Sequence, residues 1–87
     1  MITDEDSANG LLRGVTISLE SHLTQEDIEY IWESIDAGER VIALEDLCTQ
    51  LYEHDAKLGR RAYEDLAELG RFYGISASLW EVLQPEA

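Results

Sequence analysis

Across residues 35–53 the chain passes from one helical pattern straight into another, with Ala37 and Gly38 alone to make the corner. Val41, Leu44, Leu47, Cys48 and Leu51 recur at three- and four-residue steps, which gathers them on one stripe of a helix and predicts a buried face. Glu45, Asp46, Thr49, Gln50 and Glu53 fall on the other side. Gly38 suits the corner, because glycine enters the left-handed conformation at a helix end without a Cβ clash. The stretch predicts an αα-hairpin with a very short loop.

The flanking segments supply further helices. Thr24 can accept a backbone N–H as N-cap, and Glu26 and Asp27 oppose the positive end of the helix dipole. Leu23 and Ile28 stand at the staple positions on either side of that cap. The helix that follows turns Ile28, Ile31, Trp32 and Ile35 inward and Glu26, Glu29, Tyr30, Glu33 and Asp36 outward. Upstream, Leu11, Leu12, Val15, Leu19 and Leu23 predict a helix over residues 7–22, with Gly10 and Gly14 each weakening it by about 1 kcal/mol relative to alanine. Residues 15–20 also alternate as a half-buried strand would, but no second strand exists to satisfy their backbone, so the helix is preferred. Downstream, a fourth helix from Arg60 to Tyr73 turns Tyr63, Leu66, Leu69 and Tyr73 inward, and Gly74 ends it. Ser76 then offers an N-cap for a last short helix whose Leu79, Trp80, Val82 and Leu83 would lie over the core, before Pro85 prevents continuation.

Eighty-seven residues suffice for one domain, and 45 % hydrophobic residues support one modest core. The expected architecture is all-α: a compact bundle of four to five short helices, a single domain over residues 7–87 behind a fraying N-terminus at residues 1–6. No apolar run is long enough to span a bilayer, no secretory signal opens the chain, and the one cysteine cannot form an internal disulfide. The cytoplasm is the expected location.

Charge narrows the function. Nineteen Asp and Glu against six Lys and Arg leave −13. Nucleic acid and anionic membrane are therefore excluded as partners, and a basic protein is favoured. The acid is also segregated, with fourteen acids and two bases in residues 1–55 but five acids and four bases in residues 56–87. On the fourth helix Arg60–Glu64, Arg61–Asp65 and Glu68–Arg71 are spaced to compensate one another, whereas the outward acids of the second helix repel one another at helical spacing. Local stability does not explain that stripe.

Residues for catalysis are not arrayed. His22 and His54 lie near helix ends, Cys48 belongs to the apolar stripe, and no four-ligand zinc spacing, phosphate-cradling glycine loop or calcium-loop order is present. The chain is expected to be no enzyme, with no catalytic, cofactor-binding or metal-binding residues. The candidate partner-binding set is Glu26, Glu29, Tyr30, Glu33, Asp36, Glu45, Asp46, Tyr52 and Glu53; tyrosine is favoured at binding hot spots. Repulsion between like faces favours a monomer when free.

The run Ile35-Asp36-Ala37-Gly38-Glu39, followed by residues 43–53 (Ala-Leu-Glu-Asp-Leu-Cys-Thr-Gln-Leu-Tyr-Glu), resembles the MafI family of bacterial immunity proteins, as do Tyr63, Leu66, Leu69 and the terminal Trp80-Glu81-Val82-Leu83. The likeness covers most of the chain from Thr24 onward. Arg40-Val41-Ile42 departs from it, where a small or polar residue is expected. The resemblance implies a cytoplasmic antidote made beside a polymorphic or contact-dependent toxin, one that binds the toxin's C-terminal domain and blocks it in bacterial competition; such toxins are often nucleases. A basic nuclease groove is also what the acidic face would suit. The alternative is an acidic helical adaptor or regulatory subunit with no toxin partner. An acyl-carrier-like domain is set aside, since Thr24-Gln25-Glu26 stands where an Asp-Ser-Leu attachment site is required.

Overall fold

The computed structural model describes residues 2–85, and Met1, Glu86 and Ala87 of the expected terminal segments lie outside the described residues. It consists of α1 (Glu5–Leu19), a 3-10 turn (Glu20–His22), α2 (Gln25–Asp36), α3 (Arg40–Glu53), α4 (Arg60–Tyr73) and a one-turn α5 (Ser78–Glu81). No strand occurs among the described residues, and residues 15–20 are helical.

The helix ends follow from particular side chains. Thr24 accepts from the Asp27 N–H while Asp27 accepts from the Thr24 N–H, a reciprocal capping box that starts α2. At its other end Gly38 takes φ +81°, so that its N–H reaches Ile35 and the Glu39 N–H reaches Ser34, satisfying two terminal carbonyls. The same motif closes α3, but Asp55, not glycine, occupies the left-handed position at φ 52°. Asp4 accepts from the Ser7 N–H at 2.8 Å, so α1 begins at Glu5 and residues 4–6 form its capped start, two residues earlier than expected. Ser76 does not cap α5: its hydroxyl lies 2.9 Å from that of Ser78, and α5 has no side-chain cap.

Two antiparallel pairs make the bundle, α2 on α3 and α1 on α4, with α5 packed across α3 and α4. Leu12, Ile31, Ile35, Leu44, Leu47, Leu51, Leu66 and Leu69 are fully buried between them. Each fully buried aliphatic side chain contributes about 1.5–3 kcal/mol by leaving water. Ile28, Trp32, Tyr63, Tyr73 and Leu79 are only partly buried. Two expected core residues are not in the core: Val41 is 39 % exposed and Val82 56 %. In the first turn of α3 it is Arg40, not Val41, that turns to α1, bonding Glu5 at 2.6 Å and Asn9 at 3.0 Å. Glu5 also accepts from the Tyr73 hydroxyl at 3.2 Å, so one carboxylate ties α1, α3 and α4. Burial and the neighbouring Glu5 push the Tyr73 phenol up to about 12.

Trp80 anchors α5. Its indole lies so close to Gly70 that a Cβ there would stand 2.2 Å from the ring, which is why α4 carries a glycine in mid-helix.

Candidate interaction face on the helical hairpin

Successive residues on an α-helix are turned by about 100°, so the ties on each flank of α2 locate its free crest. On one flank Asp36 pairs with Arg13 of α1 at 3.1 Å, Arg13 lies 5.7 Å over the Trp32 ring, and Trp32 Nε1 donates to Glu20 at 2.8 Å. On the other flank Asp27 Oδ2 lies 2.9 Å from His54 Nε2 at the end of α3. Midway between the flanks stand Glu26, Tyr30 and Glu33, all exposed. Glu29 leans toward α1 and accepts from Gln25 at 3.2 Å.

The same construction applies to α3. Ala43, Leu44, Leu47, Cys48 and Leu51 are buried, and Asp46 is turned toward α2, where it senses the charge of Asp27. Ile42, Thr49 and Glu53 share one stripe with Asp46 at steps of three and four, and they form the crest beside α2. Tyr52 is six residues beyond Asp46, about 120° further round. With Val41 and Glu45 it therefore occupies the flank away from α2.

The nine expected partner-binding residues thus separate into groups. Glu26, Tyr30, Glu33, Asp46 and Glu53 share one surface. Asp36 is neutralised by Arg13, Glu29 leans toward α1, and Glu45 and Tyr52 lie round the far side of α3. The shared surface also contains a residue outside that set, Ile42, which is 41 % exposed. Its signal in the sequence was an apolar side chain off the buried stripe, within the Arg40-Val41-Ile42 departure. On α4, by contrast, Arg61 and Asp65 meet at 3.3 Å, while Arg60 and Glu64 form no ion pair.

Electrostatics differ across the face. Burial pushes the Asp27 carboxyl up, but hydrogen bonds from His54 and Thr24 and the charge of His54 outweigh it and hold the group below its ordinary 3.8. Asp46 is moved the other way, by burial and then by the Asp27 charge, against a hydrogen bond from Gln50. Cys48 is buried, and its thiol is pushed up to about 12 by burial and by Glu45. Reactive thiolate is not available there at neutral pH.

Among the described residues no group of three His, Cys, Asp or Glu side chains is placed to hold a metal ion, and no helix is long and apolar enough to cross a membrane. An open groove of about 490 Å³ lies between α1 and the start of α4, floored by Leu11, Val15 and Ala62 with His22 and Arg61 on its margin. Ser18 and Asp65 also line it, but the Ser18 hydroxyl donates to the Val15 carbonyl at 2.8 Å and Asp65 pairs with Arg61 at 3.3 Å. What the hairpin offers chemically is recognition: carboxylates surrounding isolated apolar side chains. Comparison with protein-family models, curated proteins and solved structures finds no match for the chain.

Proposed function

We propose that this chain is a non-enzymatic antidote of the MafI immunity type, acting in the cytoplasm by binding the C-terminal domain of a toxin and occluding it. The observation that carries this reading is the acidic crest of α2 and α3, on which Glu26, Glu33 and Glu53 stand exposed with no basic partner within ion-pair distance among the described residues. Glu33 and Glu53 stabilise neither their helix nor the bundle, and such acids on a chain of net charge −13 suit a basic protein surface such as a nuclease groove. The acids would set the association rate and its salt dependence, and occlusion would deny the toxin its phosphate-bearing substrate.

A growth assay tests the proposal. Expression of the C-terminal domain encoded directly upstream is expected to arrest cells, and co-expression of this chain to restore them. Arrest that co-expression does not relieve would reject the antidote reading.

A further inference from the structure

Resting on the antidote reading, the geometry points to Tyr30 and Ile42 as the paired apolar anchors of one docking surface, suited to a basic protein domain with an apolar recess among its cationic side chains. Seven large hydrophobic side chains are exposed among the described residues: Ile17, Tyr30, Val41, Ile42, Tyr52, Phe72 and Val82. Their surroundings differ. Ile17 lies on α1 near Gly14 and Arg13, Phe72 follows Arg71, and Val82 ends a one-turn helix. Val41 and Tyr52 look away from α2. Only Tyr30 and Ile42 stand on the crests of two adjacent helices, on the side where Glu26, Glu33, Asp46 and Glu53 are gathered.

Charge complementarity selects the occupant. A carboxylate rim repels nucleic acid, acidic proteins and a second copy of this chain, and it draws in a surface rich in Lys and Arg. Rim charges accelerate encounter but leave the complex short-lived unless desolvated anchors hold it. Tyr30, 50 % exposed, combines a large apolar area with a hydroxyl that can keep a hydrogen bond, and Ile42 adds a rigid branched side chain across the seam. Neither has a role in the core that would account for it. Anchors and rim therefore divide the work: the acids govern association, and Tyr30 with Ile42 governs dissociation.

The test measures association and dissociation rates between this chain and the purified C-terminal domain encoded upstream, for the parent and for Tyr30→Ser, Ile42→Ser and Tyr52→Ser. Thermal melts first establish that each variant folds, as expected for exposed positions. The proposal expects Tyr30→Ser and Ile42→Ser each to weaken binding by at least about thirtyfold through faster dissociation, with association and its salt dependence unchanged and Tyr52→Ser within about threefold. Amide shifts on complex formation should cover residues 26–33 and 42–53. If the parent binds and both anchor variants stay within threefold, the docking surface is wrong and the antidote reading stands. If the parent does not bind, both fall together.

Discussion

Asp27 near the start of α2 and His54 at the end of α3 stand 2.9 Å apart, which closes the open end of the hairpin opposite its Gly38 corner. The same carboxylate completes the capping box with Thr24, so it serves the helix start and the helix pair together. Asp27→Ala is expected to lower stability at pH 7 by about 1 kcal/mol, as for other lost caps. Since the folded state holds this carboxyl below its ordinary 3.8, its contribution is complete above that value and lost as pH falls through the lower folded value. Urea melts across that range should show parent and variant converging in acid, and a constant difference down to the lowest pH would contradict this role.

The contact of Trp80 with Gly70 predicts a conditional effect. Gly70→Ala alone should destabilise by about 1–3 kcal/mol, because the ring or the helix must shift to admit a methyl group. In a Trp80→Ala background the same change should be neutral or stabilising by up to about 1 kcal/mol, since alanine is the better helix former. Denaturation of the four proteins of this cycle measures the difference.

Asp55 offers a stabilising change. It holds the left-handed position at the end of α3 without glycine's freedom, and its ion pair with Lys57 is long, at 3.8 Å, and exposed. Asp55→Gly should raise stability by about 1 kcal/mol, read as an increased melting temperature.

Cys48 should resist thiol reagents. With the thiol buried and pushed up to about 12, labelling by an aromatic disulfide at pH 8 should proceed at the rate of unfolding, and be immediate in denaturant. Rapid labelling of the folded chain would show a more open α3.

Helix positions were legible from sequence because local chemistry dictates them. Thr24, Gly38 and Gly74 mark ends by capping and by positive φ, and four apolar stripes identify the buried sides. The arrangement of the outward face was less legible. Periodicity separates inside from outside on a lone helix, but which acids share a surface depends on which neighbours flank that helix. Asp36 and Glu33 look alike in the sequence, and only packing brings Arg13 to one of them. Val41 continues the stripe of Leu44 and Leu47 in sequence, yet the inward position of that first turn is held by Arg40, paired with Glu5 and Asn9, and Val41 is left at the exposed edge. From local sequence Asp27 reads only as a helix-dipole acid, because its partner His54 lies 27 residues further along the chain.

The most direct test of the central claim is calorimetric titration of this chain with the C-terminal domain encoded upstream, at low and at high salt, using the parent and Glu26→Lys/Glu33→Lys. The account predicts tight binding by the parent that weakens as salt rises, and a variant that folds normally but binds far more weakly with a smaller salt dependence. Equal binding by parent and variant, indifferent to salt, would contradict the acidic crest as the site of recognition.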